Sequence, residues 1–327
     1  MENCEVMILR LIVMFWVLSA PVTNVPVEDG RLVMFWNLEN FFDFTDGEAG
    51  ESDKDFSASG KRRWTKGRFY SKCRLIAKGM FSIGDMFGRM PDVVGVCEVE
   101  NREVLSRLVS GTSLQRVGYG IVHRESCDRR GIDVALLYRK DVFDVLSVSV
   151  KHPENEGISM KTRDILCVTL QDKETQSIVH YLVNHHPSKF SGKGSESSRV
   201  AVMQSLKQVC DSLSTVSSSP VIAMGDFNDT PDGNQFSIIA HSLENKSIDL
   251  FKKGEGTIRY KGKWDLIDMF MVSPSISPFT RMEIVRIPYL MEWDNVHPGY
   301  RPLRTYSGPR YLGGVSDHCP IVLEICQ

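Results

Sequence analysis

The sequence predicts an α/β fold in which two β-sheets pack face to face and helices cover their outer sides. Hydrophobic residues make up 42% and charged residues 24% of the 327 residues, which is usual for a globular chain. This composition excludes a disordered chain, a collagen-like fibre and a polytopic membrane protein. Short apolar runs rich in β-branched and aromatic residues recur along the chain, as β-strands do. Amphipathic segments separate groups of these runs, which is the order expected when helices flank packed sheets.

Ten runs are predicted as strands. The first, RLVMFWNLENFF, is β-branched and aromatic, and the second, DVVGVCEV, is almost entirely apolar, as in a strand buried on both faces. The acidic residues 43–60, rich in Gly and Ser, indicate a solvated loop between them. In chain order the predicted strands cover residues 31–42, 92–99, 119–122, 132–139, 142–150, 164–170, 178–184, 220–224, 264–272 and 320–325.

Three segments are predicted as helices. Residues 70–87 carry apolar side chains at helical spacing, and Pro91 ends that helix. Residues 101–108 indicate a short helix, and residues 197–213 a longer one with apolar residues three or four positions apart. Since no change in composition marks a boundary, residues 28–327 are predicted to form a single domain.

Charge and cysteine content narrow the functional classes. The chain has 39 Lys and Arg against 41 Asp and Glu, so any site for a polyanion must be a local basic patch. The eight cysteines contain no C-x-x-C pair, which excludes a zinc knuckle and a thioredoxin-type motif. Cys97, Cys167 and Cys319 lie in apolar runs and are predicted to be buried thiols.

The N-terminus indicates where the protein is located. Residues 11–20 form an uncharged apolar run that is too short to span a membrane and is followed closely by small residues. Residues 1–27 are therefore predicted to be a signal peptide of a periplasmic or secreted protein, with no transmembrane span in the mature chain. The alternative is that the run is a hydrophobic first element of the fold, which would leave the protein cytoplasmic.

Polar side chains with useful chemistry occur where the predicted strands end. Carboxylate and amide oxygens are ligands that Mg²⁺ and Mn²⁺ prefer, and imidazoles can contact phosphate. Any one of these residues could equally be a helix cap or a turn former, so their order along the chain matters more than each alone. The candidates are Asn37, Glu39, Glu98, His185, Asp226, Asn228, Asp268, Asp317 and His318.

Six motifs around these residues carry a family resemblance. They are FWNLEN (35–40), VCEVEN (96–101), VNHHPSK (183–189), GDFND (225–229), WDLID (264–268) and SDHCP (316–320). With them the chain resembles the endonuclease/exonuclease/phosphatase superfamily, and within it an uncharacterised bacterial branch. The resemblance implies a DNase I-like four-layer α/β/β/α sandwich of two mostly antiparallel sheets. It also implies a metal-dependent phosphodiesterase or phosphatase.

The resemblance further implies how a metal would be held. Glu98 would be the principal ligand of Mg²⁺ or Mn²⁺. Asn37, Glu39 and Asp317 would complete the metal shell or hydrogen-bond to it. A bound cation would offset the negative charge of a phosphoester.

Catalytic roles follow from the same resemblance. Asp226 would orient or deprotonate the attacking water, and Asn228 would hold that water or the phosphate. His318, oriented by Asp268, would contact the scissile phosphate. His185 would donate to a nonbridging oxygen, and its position directly after the strand favours it over the histidine that follows.

Substrate contacts are less specific in the sequence. Residues 61–72 hold six basic residues interleaved with three aromatic ones, a pattern that suits phosphates and stacked bases but also a solvated helix start that balances the acidic loop. Lys189, close to the histidine pair, is a predicted phosphate contact. Arg304 and Arg310, in a second Arg and Tyr segment, are also predicted to contact substrate.

Three functions agree with these features. The first is a nuclease that cleaves phosphodiester bonds by in-line attack of water. The second is a phosphatase or phospholipase C-like hydrolase of a phosphorylated small molecule or lipid head group, for which residues 287–293 could face lipid. The third, a non-catalytic binding module, would require the loss of site residues, and none is lost. The expected partner is nucleic acid or another phosphoester, and no stable protein partner is implied.

Overall fold

Twelve strands form two six-stranded sheets in the computed structural model, which describes residues 30–45, 51–189 and 195–326. The predicted signal peptide, residues 1–27, lies outside the described residues. In chain order the strands are β1 (Arg31–Phe41), β2 (Val93–Val99), β3 (Tyr119–His123), β4 (Asp133–Arg139), β5 (Phe143–Lys151), β6 (Ile165–Asp172), β7 (Ile178–His185), β8 (Val221–Asp226), β9 (Glu244–Asn245), β10 (Asp268–Val272), β11 (Thr280–Ile284) and β12 (Ile321–Ile325).

Each sheet has one parallel pair at its centre. Sheet 1 has the order β11-β12-β1-β2-β4-β3, and only β1 and β2 are parallel. Sheet 2 has the order β9-β10-β8-β7-β6-β5, and only β7 and β8 are parallel. Because parallel neighbours end at the same edge of a sheet, each pair delivers two strand ends side by side.

Helices cover the outer face of each sheet, so the predicted four-layer order is confirmed. The helices are α1 (Lys66–Met86), α2 (Arg102–Ser110), α3 (Ser195–Val216) and the short α4 (Ile248–Lys252). One hydrophobic core fills the space between the sheets and beneath α3, and a second lies between sheet 1 and helices α1 and α2. Helix α1 begins at Thr65, whose hydroxyl accepts from the Arg68 amide, and it buries Phe69, Cys73 and Ile76 against sheet 1.

The shorter elements lie between the main strands. Five 3₁₀ turns cover Asp53–Phe56, Ser113–Arg116, Asn234–Ile238, Ser277–Phe279 and Pro288–Leu290. Four two-stranded ribbons pair Glu154–Asn155 with Ile158–Ser159, Ile258–Tyr260 with Lys263–Asp265, Met291–Trp293 with Tyr300–Pro302, and Tyr306–Ser307 with Arg310–Tyr311.

Two sequence predictions need correction. The segment 264–272 is not one strand, because the chain leaves a ribbon after Asp265, buries Leu266 and Ile267, and enters sheet 2 only at Asp268. The segment 43–60 is not simply a solvated loop. Its 3₁₀ turn buries Phe56, which stacks on Phe42 at 4.6 Å between ring centroids.

A glycine allows a close contact between the two sheets. Gly95 of β2 faces Met224 of β8, and a Cβ added at Gly95 would lie 2.6 Å from the Met224 sulfur. No side chain larger than hydrogen fits there without displacing its neighbours. The central parallel pairs are therefore held face to face, with the ends of their strands at the same edge of the molecule.

Two further predictions concern buried cysteine thiols and membrane-spanning helices. The seven described cysteines are free thiols, and Cys97, Cys167 and Cys319 are buried as predicted. Within the described ranges, no helix is both long and apolar enough to cross a bilayer.

Candidate active site

The candidate site lies where the two parallel strand pairs end. Sheet 1 contributes Asn37 and Glu39 from β1 and Glu98 from β2, and sheet 2 contributes His185 from β7 and Asp226 from β8. The Asn37 amide donates to Asp226 Oδ2 across the sheet interface at 3.1 Å. Residues far apart in sequence therefore meet in one buried polar group.

The backbone at these strand ends is held in an uncommon conformation. Glu39, Asn40, Glu98 and Asn228 have φ angles of 44°, 50°, 58° and 49°, in the left-handed region that non-glycine residues seldom occupy. The β1–β2 register also shifts between Asn37 and the end of β1. Such conformations cost about 1–3 kcal/mol each and persist where surrounding contacts impose them, most often at functional sites.

Glu39 is fixed by one cation and one amide. Arg304 donates to Glu39 Oε1 through Nε and Nη2 at 3.1 and 3.0 Å, and the Thr305 amide donates to Oε2 at 2.7 Å. Arg304 also reaches Asp317 Oδ2 at 3.0 Å. Burial, with a smaller contribution from Asp317, raises the pKa of Glu39 to about 7 although Arg304 opposes the shift. Arg304, predicted to contact substrate, is thus engaged with two of the predicted metal ligands.

Glu98 is held in its ionised form by nearby positive groups. Burial raises the pKa of Glu98, but Arg130, the Asn40 amide and other nearby positive groups outweigh that effect and bring the pKa below its ordinary value. Both terminal nitrogens of Arg130 lie 3.4 Å from the carboxylate, and the Asn40 amide donates to Oε2 at 2.8 Å. Glu98 is therefore ionised at neutral pH and suited to hold a cation.

A buried lysine supports the site from beneath, and the sequence analysis did not identify it. The Lys72 ammonium donates to the Glu39 carbonyl at 2.6 Å and to the Thr305 hydroxyl at 2.8 Å, with only 1% of the residue exposed. Burial lowers the pKa of Lys72 to about 8, although Glu39 opposes the shift. The available signal was its position on the apolar stripe of α1, three residues after the buried Phe69.

Asp226 lies at the centre of the group. Its Oδ1 accepts from the Asn228 amide at 2.9 Å, and its Oδ2 lies 3.7 Å from His185 Nε2 and 3.9 Å from His318 Nε2. Burial and the nearby Asp268 raise the pKa of Asp226 to about 7, although His318 and two hydrogen bonds oppose the shift. Neither imidazole is within hydrogen-bonding distance of the carboxylate, so both Nε2 atoms remain available to another oxygen.

His318 and Asp268 form a buried dyad beside Asp226. Asp268 is paired with Asp226 across the β8–β10 ladder, and its Oδ2 lies 2.8 Å from His318 Nδ1. Burial lowers the pKa of His318, but the Asp268 charge and hydrogen bond, followed by Asp226 and Asp317, raise it well above the ordinary value. Asp268 therefore favours the imidazolium form of His318, whose Nε2 lies 3.9 Å from Asp226 Oδ2.

The two adjacent histidines have different surroundings. His185 Nε2 lies 3.9 Å from Glu98 Oε1 and 3.7 Å from Asp226, and its burial, followed by the charge of Arg163, lowers its pKa well below the ordinary value. His186 is fully buried against Phe227, at 4.8 Å between ring centroids. The Asn228 side chain donates from Nδ2 to the His186 carbonyl at 2.9 Å. His185 therefore faces the polar group, and the side chain of His186 is packed in the core.

The structure does not join the remaining predicted substrate contacts to this group. Lys189 pairs with Asp229 Oδ1 at 2.5 Å. Arg310 is exposed on a ribbon, and within the described part of the chain no hydrogen bond or ion pair involves its side chain. In the segment 61–72, Trp64 and Phe69 are fully buried, so they cannot stack on bases.

The donor set fits a divalent cation. Oxygen atoms of Asn37, Glu39, Glu98 and Asp317 are the types that Mg²⁺ and Mn²⁺ prefer. Burial, with smaller contributions from Asp317 and Asp268, raises the pKa of both Glu39 and Asp226, and a bound cation would stabilise their ionised forms. Asp226, Asp268 and His318 also have ligand atoms within 4.8 Å of one another, although Asp268 already binds His318 Nδ1.

The fold and the site together define a class of protein. Two face-to-face six-stranded sheets that carry acids, an amide and imidazoles to one edge are the architecture of DNase I-like phosphoester hydrolases. The model of the endonuclease/exonuclease/phosphatase family matches residues 32–327. The chain belongs to this family, as its motifs predicted, and it is a phosphoester hydrolase.

Solved structures support the same fold at low sequence identity. An endonuclease/exonuclease/phosphatase family protein from Bacteroides thetaiotaomicron is 17% identical with a TM-score of 0.60, covering 91% of this chain and 98% of its own. The human nocturnin catalytic domain with bound sulfate is 18% identical with a TM-score of 0.58, covering 90% and 93%. A mannosyl-6-phosphatase from Bacteroides thetaiotaomicron is 17% identical with a TM-score of 0.58, covering 90% and 98%. A search of curated protein sequences gives no match.

Proposed function

We propose that the protein is a divalent-metal-dependent nuclease that cleaves phosphodiester bonds by in-line attack of a water positioned by Asp226. The observation that carries this proposal is the arrangement around Asp226. One carboxylate lies between two imidazole Nε2 atoms, at 3.7 Å from His185 and 3.9 Å from His318, and is held in place by Asn37. An acceptor for the proton of water thus lies beside two donors for phosphate oxygens.

Asp226 would take the proton from the attacking water. A base works best when its pKa is near the working pH, and a pKa of about 7 meets that condition. The Asn37 side-chain amide, which donates to Oδ2, and the Asn228 backbone amide, which donates to Oδ1, fix the orientation of the Asp226 carboxylate. The water would lie near Oδ2, the oxygen that faces the imidazoles.

The two histidines would stabilise the phosphate as it gains negative charge. His318 would present a charged Nε2–H donor, because Asp268 binds the other ring nitrogen, Nδ1, and raises the pKa of the imidazole. His185, whose pKa is lowered, would donate from a neutral ring to a nonbridging oxygen. The two donors therefore differ in charge, and only His318 contributes a full positive charge.

Glu98 would be the principal metal ligand, with Asn37, Glu39 and Asp317 in support. A bound Mg²⁺ or Mn²⁺ would supply Lewis-acid stabilisation of the phosphate oxygens. Glu98 needs no proton removed to bind, since its pKa is lowered, whereas Glu39 must give up a proton near neutral pH. Arg304 bridges Glu39 and Asp317 and would hold their charges in place before a metal enters.

The basic surface beside the site favours nucleic acid as substrate. Lys61, Arg63 and Lys66 stay exposed, although Trp64 between them is buried. The Tyr306 hydroxyl donates to the Arg62 carbonyl at 2.9 Å, and Tyr306 directly follows Thr305, which contacts Glu39. The basic start of α1 is thereby tied to the metal-ligand side of the site. The likeness to a mannosyl-6-phosphatase supports a phosphomonoesterase as the second candidate.

The test compares four substrates in parallel. The purified protein would be incubated with Mg²⁺, Mn²⁺ or EDTA and supplied with plasmid DNA, RNA, bis-p-nitrophenyl phosphate or p-nitrophenyl phosphate. Asp226→Ala is the inactive variant, and Asp232→Ala, which removes an exposed carboxylate of the same loop, is the matched control. Metal-dependent cleavage of a nucleic acid, lost only in Asp226→Ala, is the expected result. Turnover of the monoester alone would support the second candidate, and full activity in Asp226→Ala would overturn the mechanism.

A further inference from the structure

Two ribbons form a wall that begins at the candidate site. The first ribbon pairs Ile258–Tyr260 with Lys263–Asp265, and Ile258 also forms a β-bridge with His318. The second ribbon pairs Met291–Trp293 with Tyr300–Pro302. It continues into Leu303 and Arg304, and Arg304 holds Glu39 and Asp317. Both ribbons therefore extend from residues of the His318 and Asp317 side of the site.

The tips of the ribbons are locked together. Arg259 of the first ribbon donates from Nη1 to the His297 carbonyl at 2.9 Å and from Nη2 to the Pro298 carbonyl at 3.0 Å. Gly299 has a φ of 136°, and a Cβ there would lie 2.7 Å from Arg259 Nη2. Asp294 accepts from two backbone amides of the second tip. The wall is therefore ordered by polar contacts of its own.

The wall exposes aromatic rings next to unpaired lysines. Trp293 and Tyr300, 50% and 62% exposed, lie opposite each other in the second ribbon with ring centroids 5.3 Å apart at 82°. Tyr260 at the first tip is 54% exposed, and the Lys261 ammonium lies 5.3 Å from its ring. Lys261 and Lys263 are exposed, and within the described ranges neither is part of an ion pair.

We infer that this wall is a subsite for a single-stranded segment of a nucleic acid substrate, beyond the scissile phosphate on the His318 side. The inference rests on the proposed nuclease function and adds where the strand lies. Exposed aromatic faces stack on bases without regard to sequence, and lysines beside them pair with the phosphates. From Arg304 to Tyr300 is four residues, about 13 Å of strand, which is enough for about two nucleotides.

The same surface is poorly suited to a lipid bilayer. Insertion requires a continuous apolar face, whereas the tips carry Lys261, His297 and the backbone turn held by Asp294. Val296 is the exposed aliphatic residue between them, at 80%. Charge and aromatic stacking together therefore favour a nucleic acid strand, and membrane binding is an outcome that the experiment distinguishes.

The test measures binding and turnover separately. Binding of a fluorescein-labelled 12-nucleotide single-stranded DNA would be followed by anisotropy in EDTA. Its cleavage, and that of bis-p-nitrophenyl phosphate, would be followed in Mn²⁺. The variants are Trp293→Ala/Tyr300→Ala and Lys261→Ala/Lys263→Ala. Phe279→Ala, which removes an aromatic ring that is 54% exposed on a different 3₁₀ turn, is the matched control.

The aromatic double variant is expected to weaken oligonucleotide binding and lower kcat/KM on it by at least fivefold, since each lost stack is worth about 5- to 150-fold. Turnover of the small diester should change by less than twofold. The lysine variant should reduce the slope of log K against log salt by about 1.4, for two phosphate contacts.

Several results would overturn the subsite. One is an oligonucleotide affinity equal in the aromatic variant and in Phe279→Ala. Another is no oligonucleotide binding by the wild-type protein. A third is binding to phosphatidylcholine/phosphatidylserine vesicles that is lost in the aromatic variant while oligonucleotide binding is kept. Failure of the nuclease proposal is distinguishable, because the wild-type protein would then cleave neither the oligonucleotide nor the diester in the presence of metal.

Discussion

Replacement of Asp268 by Asn tests the proposed role of His318 directly. The substitution keeps the shape of the side chain but removes the negative charge 2.8 Å from His318 Nδ1. Two unit charges at that distance interact by about 6 kcal/mol at an effective dielectric constant of about 20. The substitution therefore removes most of the attraction that keeps the buried His318 protonated. The other two carboxylates, Asp226 and Asp317, lie farther away, each 3.9 Å from Nε2.

In the variant, His318 should lose its proton at a lower pH than in the wild-type protein. At pH 8 we expect kcat/KM on bis-p-nitrophenyl phosphate to fall by about 10²- to 10³-fold, the usual loss when a donor to a developing negative charge is removed. Part of the loss should be recovered as the pH falls, because more of His318 is then protonated, and because Asp226 stays ionised to a lower pH once the Asp268 charge that raises its pKa is gone. The assay is the pH profile of kcat/KM from pH 5 to 9, with Asp265→Asn, an exposed carboxylate of the adjacent ribbon, as the control. A profile parallel to that of the wild-type protein, with less than a threefold loss, would refute the reasoning.

Three further predictions follow from contacts around the site. Lys72→Met should change the free energy of unfolding by less than about 2 kcal/mol, because the loss of two hydrogen bonds is offset by removal of a buried ammonium. It should nevertheless lower metal affinity and kcat by at least tenfold. Lys78→Met, on the same helix, is the control, and equal activity of the two variants would contradict a role for Lys72. Without metal, the free energy of unfolding should fall as the pH rises from about 4.5 to 7. Over this range folded Glu39 and Asp226, with pKa values of about 7, retain protons that the unfolded carboxyls release. Because Glu39 must lose its proton to bind metal, Mn²⁺ should raise Tm more at pH 8 than at pH 5.5. Thermal scans with the same shift at both pH values would show that Glu39 does not bind it. Gly95→Ala should lower stability by about 1–3 kcal/mol in urea unfolding, since its Cβ would meet Met224. Gly67→Ala in α1, where the added Cβ meets only the Thr65 hydroxyl at 3.8 Å, should not lower it, and equal losses would exclude close packing as the cause.

The strands of both sheets could be predicted because burial on two faces selects continuous β-branched and aromatic runs. That signal fixed the positions of β1, β2 and β8 to within one or two residues. It could not give their neighbours, because β1 pairs with β12, some 290 residues later, and nothing local encodes that partner. The order of strands and helices predicted two packed sheets flanked by helices, the motif resemblance implied the same four-layer order, and the packing confirmed it.

The polar strand ends were also visible in the sequence, since an acid or amide that closes an apolar run is conspicuous. The residues that contact and position these strand ends could not be recognised from the sequence. Lys72 lies in a run of basic residues that looked like a surface, and only the helical phase distinguishes it from its exposed neighbours. Arg130 reaches Glu98 from a loop that is distant in sequence. Trp64 and Phe69 appeared available for stacking but are buried, because the start of α1 packs beneath the end of β1.

The division of the site between the two sheets has a consequence for how activity is acquired. Sheet 1 supplies Asn37, Glu39 and Glu98, and sheet 2 supplies His185, Asp226 and Asp268. Neither sheet alone therefore carries a complete active site. The hydrogen bond from Asn37 to Asp226 forms only when the sheets dock. During refolding, secondary structure can therefore return before any turnover does, and a partly assembled intermediate is silent. In a cell this would delay hydrolysis until the chain has reached its final packed state.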